Sequence, residues 1–177
     1  LAEGMTGMME GVFINVKNRS KTITADLVVP AGGGNGTILA QGGRFGGWSL
    51  YVKDGVPAYD YNFLGLQQSS IVSTKPLAPG KATVKFDFAY DGGGKGGLGT
   101  LYVNDKQVAQ GRIELTEGGM FSADETADVG IDLGTPVVEA IGSEAGSKFN
   151  GHIPKVTVEV RPAPAKTAAL EQSARQR

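Results

Sequence analysis

GTILAQGGRFGGWSLYVKDGVPAYDYNFL, residues 36–64, reads as three short strands joined by one glycine-rich connection and one tight hairpin. Asp54-Gly55 is the signature of a two-residue type I′ turn, in which both central residues take positive φ. A turn there sets Val52 opposite Pro57, Leu50 opposite Tyr59 and Trp48 opposite Tyr61. Side chains alternate along a strand, so these six share one face. Tyr51, Ala58, Ser49 and Asp60 fall on the other face, which is expected to be the wetter one. A one-residue slip would mix the two sets, so the turn and the pattern demand the same register.

The same grammar runs outward from this hairpin. Upstream, residues 12–17 and 22–30 read as strands, the second alternating Ile23, Ala25, Leu27 and Val29 against Thr22, Thr24 and Asp26. Downstream, residues 67–74 are polar and predict an edge strand. Residues 81–90 are the cleanest strand, with Val84, Phe86, Phe88 and Tyr90 on one side. Residues 101–103 and 107–109 form a second hairpin about Asn104-Asp105, residues 128–133 another strand, and residues 149–160 a closing strand. Residues 136–148 read as loop or short helix, and 1–11 as an irregular lead-in. From 161 to 177 the alternation stops and a proline-rich start predicts a flexible tail. Many short strands with turn signals between them and no amphipathic helix predict an all-β fold. The expected architecture is an antiparallel β-sandwich, jelly-roll or concanavalin A-like, over residues 12–160.

Composition narrows the function. The chain has 177 residues, enough for one domain with a real core. Seventeen Lys and Arg nearly balance eighteen Asp and Glu, which argues against a nucleic-acid surface. No apolar run approaches the roughly 20 residues that span a bilayer, so no membrane partner is expected. Without cysteine there is neither a disulfide framework nor a thiolate metal site.

Three stretches together, AQGGRFGGWSLYVKDG (40–55), FAYDGGGKGGLGTLYVNDK (88–106) and FSADETADVGIDLGTPV (121–137), resemble the C-terminal, laminin-G-like region of bacterial arylsulfatases, collinearly from about Met5 to Val160. The resemblance implies a concanavalin A-like sandwich appended to a large catalytic domain that hydrolyses sulfate esters. It also implies a bacterial protein, periplasmic or cytoplasmic, with nothing in the sequence to choose between them. That family's nucleophile derives from the Cys or Ser of a C/S-x-P-S-R motif. This chain has no Cys, no Ser followed two residues later by Pro, and one His. It is therefore expected to be non-catalytic, and its expected partner is a sulfatase catalytic domain that it docks on or whose cleft it extends. The alternative is a free-standing lectin-like module that binds glycan.

Candidate site residues follow from exposure and chemistry. Arg44 and Phe45 lie between glycines, and Tyr51 on the polar face; an arginine beside aromatics suits a protein contact or sugar stacking. Asp124, Glu125 and Asp128 are the densest acidic segment and form a candidate calcium site, since calcium takes several carboxylate oxygens. Flanking a strand is the plainer reading of these acids. Trp48 shares parity with Leu50 and Val52 and is expected in the core, and His152 is expected to be structural. GGGKGG lacks the spacing and following helix of a phosphate loop.

Overall fold

The computed structural model describes residues 1–142 and 144–162. Among these are strands β1 (Met8–Met9), β2 (Lys21–Val29), β3 (Gly36–Gly43), β4 (Gly46–Lys53), β5 (Val56–Phe63), β6 (Gln67–Val72), β7 (Gly80–Tyr90), β8 (Gly97–Val103), β9 (Lys106–Ile113), β10 (Thr126–Val129) and β11 (His152–Val160). Two 3-10 turns, Glu139–Ile141 and Glu144–Gly146, lie between β10 and β11. The strands build two antiparallel sheets in the order β1-β10-β3-β4-β5-β6 (sheet A) and β11-β2-β7-β8-β9 (sheet B). This is the expected all-β jelly-roll sandwich.

The deciding hairpin has the register that its letters require. Val52 pairs with Pro57, Leu50 with Tyr59 and Trp48 with Tyr61. Asp54 and Gly55 take φ of 50° and 82°. Trp48, Leu50 and Tyr59 from sheet A meet Phe86 and Phe88 from sheet B in one core cluster. The rings of Tyr59 and Phe86 stack with centroids 3.6 Å apart. Burying each such side chain stabilises by roughly 1.5–3 kcal/mol before ordering entropy is counted. Phe86 is fully buried, Phe88 nearly so, and the polar strand 67–72 does lie at an edge.

Four expectations need correction. The second face of the hairpin is not wet: Ser49 is fully buried, and Asp60 and Tyr51 are 5% and 6% exposed. The segment after β10 folds back over it, and Val137, Val138 and Ile141 pack on Tyr51 and Ala58. Periodicity reports which residues share a face, not what later covers that face. Residues 12–17 form no strand. Phe13 and Val16, three apart, enter the core while Val12 and Ile14 stay exposed, and the amides of Val12 and Phe13 turn back to the Met9 carbonyl. The strand expected over 128–133 stops at Val129, because Gly130 takes φ of 82° and leads the chain away.

The fourth correction concerns boundaries. Residues 1–11 are stitched to the sandwich: Met8 pairs with Ala127, and Leu1 and Val156 exchange main-chain hydrogen bonds of 2.8 and 2.7 Å. Arg161 is likewise held, its amide to the Ser20 carbonyl and its guanidinium to Asp87, Thr22 and the Phe88 carbonyl. Of the expected tail, residues 163–177 lie outside the described residues.

Candidate functional site

The outer face of sheet A carries a cross-strand row that is polar except at Ala40. Asp128 lies opposite Ala40, Ala40 opposite Ser49, Ser49 opposite Asp60, and Asp60 opposite Ser70. Beside it run Thr37, Tyr51, Ala58 and Val72, again paired in sequence across four strands. The residues of these rows on β10, β3, β4 and β5 are buried, and the segment after β10 packs on Tyr51 and Ala58. It stops short of β6, where Gln68, Ser70 and Val72 are exposed. Asp60 sits at the step between the covered and the open part of the face.

That step has an unusual electrostatic character. Tyr51 donates its hydroxyl to Asp60 Oδ1 at 2.8 Å, and Ser70 also hydrogen-bonds this carboxylate. Burial raises the Asp60 pKa above the ordinary carboxylate range, while these two hydroxyls pull it partly back. The Tyr51 phenol is pushed up by burial, then by the charge and hydrogen bond of Asp60. The Oγ of Ser49 and Oγ1 of Thr37 are buried without a hydrogen-bond partner.

Arg44 and Phe45 stand at one end of this face, in the turn between β3 and β4, and both are exposed. The turn is fixed from two sides. Asn62 Nδ2 donates to the Arg44 carbonyl at 2.8 Å while its Oδ1 accepts the Gly65 amide, tying the two neighbouring turns together. The Arg44 amide donates to Thr135 Oγ1, and Thr135 in turn donates its hydroxyl and amide to Glu125. A Cβ on Gly43 would lie 2.7 Å from Thr135 Oγ1 and 2.8 Å from the Glu125 side chain, so only glycine permits this packing. The Arg44 guanidinium meets Glu139 of the cover at 3.3 Å, with both side chains more than half exposed. Such a pair contributes little and exchanges readily.

The expected site residues divide accordingly. Arg44 and Phe45 are exposed and adjacent to the polar face. Tyr51 is on that face but buried, so it supports Asp60 from beneath. Asp124, Glu125 and Asp128 do not converge: Asp124 is exposed, Glu125 is engaged by Thr135, and Asp128 accepts from the amides of Gly7 and Leu133 and from Thr126. Among the described residues no three carboxylates or imidazoles are placed to hold a metal ion. The calcium expectation at these three is corrected for that reason. Glu125 and Asp128 act instead on Asp132, which burial pushes up to about 7, opposed by the Val137 amide and reinforced by the charges of Asp128 and Glu125. Trp48 is in the core, donating to Gln41 at 3.1 Å. His152 opens β11 and is exposed, 3.3 Å from Glu3. The residues that letters alone did not single out are Asp60, Asn62 and Ser70. One signal was available: a carboxylate and an amide interrupt an aromatic run, YDYN, in the middle of a strand.

No protein-family model and no curated protein matches the chain. Solved structures do. The CBM40 domain of the Ruminococcus gnavus IT-sialidase, bound to α2,3-sialyllactose, superposes with a TM-score of 0.60 at 15% identity, covering 86% of this chain and 82% of that one. A heptameric SAP-like pentraxin from Limulus polyphemus gives a TM-score of 0.52 at 19% identity, covering 81% and 66%. The receptor-binding domain of botulinum neurotoxin type G gives 0.55 at 12%, covering 89% and 38%. At these identities the likeness shows a shared fold.

Proposed function

We propose that this chain is a lectin-like carbohydrate-binding module whose site is the step on the outer face of sheet A, with an acidic glycan as ligand. The observation that carries the proposal is Asp60, a carboxylate held by the Tyr51 and Ser70 hydroxyls at the edge of a covered sheet face. Sugar hydroxyls are recognised by such oriented carboxylates, and the exposed Ser70 and Gln68 extend the polar floor toward solvent. Arg44 supplies the cation: a ligand carboxylate or sulfate can replace the exposed Glu139 on its guanidinium. Phe45, 72% exposed beside it, offers a ring for the apolar face of a pyranose. The sialyllactose-bound neighbour supports the same class of ligand. The test is a glycan array comparing sialylated, sulfated and neutral sugars. Retention of an acidic class, lost in Arg44→Ala and in Asp60→Asn while both variants stay folded, is the expected result; retention unchanged in both variants would remove the site.

A second reading keeps the module attached to a sulfatase catalytic domain in a parent sulfuric-ester hydrolase. Its support is the collinear arylsulfatase resemblance, together with the exposed Phe45, Leu64 and Leu66 at the Arg44 end of sheet A. Under this reading Phe45→Ala with Leu66→Ala weakens association with that domain and leaves glycan retention intact.

A further inference from the structure

The segment after β10, which covers the outer face of sheet A, is gathered at one buried acid, Asp132. Its Oδ2 accepts the Val137 amide at 3.0 Å, and its own amide donates to Ser147 Oγ at 2.9 Å. Its carbonyl accepts the Glu144 amide at 3.0 Å. Ser147 carries the connection to the sheet, where its carbonyl accepts the Thr37 amide of β3 at 2.7 Å. One residue thus joins both ends of the cover to the stretch that lays Val137, Val138 and Ile141 on Tyr51 and Ala58.

The surroundings of this acid oppose a charge on it. Among the described residues Oδ1 has no hydrogen-bond partner. Asp128 of β10 and Glu125 just before that strand bring like charges, and β3 brings the uncharged Thr37. Of the charged residues on the cover itself, Glu139 pairs with Arg44, and Glu144 and Lys148 are exposed. Among the described residues no cation pairs with Asp132. A buried carboxylate without a cation is costly, and it escapes that cost by taking a proton or by reaching water. Burial accordingly raises the Asp132 pKa from 3.8 to about 7, against the pull of the Val137 amide. For Asp132, reaching water means lifting the cover.

We infer that Asp132 is a proton-operated latch: neutral, it holds the cover closed over Tyr51 and Asp60; ionised, it shifts the cover toward a lifted state in which the carboxylate meets water. With the cover lifted, Tyr51 loses the packing of Val137, Val138 and Ile141, and Asp60 loses its fixed phenol. That the latch regulates ligand binding rests on the reading of Asp60 as part of a carbohydrate site; the latch itself does not. Its pH dependence has a definite sign. The closed state keeps the proton up to about pH 7, whereas the lifted state releases it in the ordinary carboxylate range. Between those values the closed state binds more protons, so lifting grows about tenfold per pH unit and stops growing once both states are ionised.

The test is amide hydrogen exchange of the intact chain from pH 4.5 to 8, each rate corrected for its intrinsic pH dependence. Opening at the Val137 and Ile141 amides, bonded to Asp132 and to the Val138 carbonyl, is expected to rise about tenfold per pH unit and to level off near pH 7. Asp132→Asn keeps an oxygen for the Val137 amide but cannot ionise, and it is expected to abolish the rise. Glu125→Gln keeps an acceptor for Thr135 and removes one opposing charge, so the levelling-off moves to lower pH. If Asp132→Asn does not fold, that shift carries the comparison. Titration of the Asp132 carboxyl carbon in the same sample reads the protonation directly. Flat corrected exchange in the wild-type chain, an undiminished rise in Asp132→Asn, an unmoved levelling-off in Glu125→Gln, or an Asp132 carboxyl that titrates in the ordinary range would each overturn the inference. None of these readouts involves a sugar, so failure of the latch and failure of the carbohydrate site are seen separately.

Discussion

Tyr51 and Asp60, nine residues apart and on neighbouring strands, share a hydrogen bond of 2.8 Å on a sheet face that the chain itself later covers. The phenol is supported by apolar packing from Val137, Val138 and Ile141, so it cannot turn away to water. The carboxylate is thereby fixed at the margin of the cover. The arrangement ties the packing of a connection to the chemistry of a candidate site.

Removing that hydroxyl should be felt as a pH-dependent loss of stability. The folded Asp60 already holds its proton to higher pH than an unfolded carboxylate. Between the two values the folded state binds more protons, so stability falls as pH rises through that window. Tyr51→Phe removes one of the bonds that pull the value down and widens the window. The expected cost is about 1.5–3 kcal/mol near pH 8, as for a hydrogen bond to a charged group, and clearly less at pH 4. Urea denaturation at the two pH values measures it, and an equal cost at both would contradict the account.

Lys21 gives a prediction of opposite sign. Its ammonium is buried, donates to the Val16 carbonyl at 3.1 Å and lies over the Phe88 ring. Desolvation lowers its pKa to about 7, against the ordinary 10.5 in the unfolded chain. Between those values the unfolded state holds the extra proton, so stability rises with pH over this range. Lys21→Met should flatten the rise. Chemical denaturation of both proteins from pH 7 to 9.5 checks it, and a parallel pH dependence in the two would refute the assignment.

Phe86 tests the core. It is fully buried, stacked on Tyr59, and contributed by the central strand of sheet B. Phe86→Ala is expected to cost about 3–5 kcal/mol, the range for a buried aromatic truncated to alanine. A cost below about 1 kcal/mol in equilibrium unfolding would mean that the two sheets do not meet there.

How far the sequence reaches is visible in single residues. Asp54-Gly55 and the parity of Trp48, Leu50 and Val52 were enough to set the register of β4 against β5, because turn chemistry and alternation are local. The burial of Ser49 was not legible, since its cover arrives about ninety residues later and pairs through no periodic signal. Residues 12–17 read as a strand because VFINVK alternates, yet a strand needs a partner edge and the fold supplies none. Arg44 and Phe45 were recognisable from the glycines around them, which predict an exposed turn. Asp60 emerged only when its cross-strand partner Ser70 was in place. Tyr51 shared the polar parity correctly but not the exposure. The acidic residues at 124, 125 and 128 looked alike in sequence, and the fold gave each a different task.

The most direct test of the site is amide chemical-shift mapping of the intact chain titrated with α2,3-sialyllactose, with lactose as the neutral control. The account predicts saturable shifts for the sialylated sugar that centre on Arg44, Asp60, Gln68 and Ser70, weakened in Arg44→Ala, with lactose binding more weakly. Saturable shifts confined to sheet B, or no saturable shifts with either sugar, would contradict it.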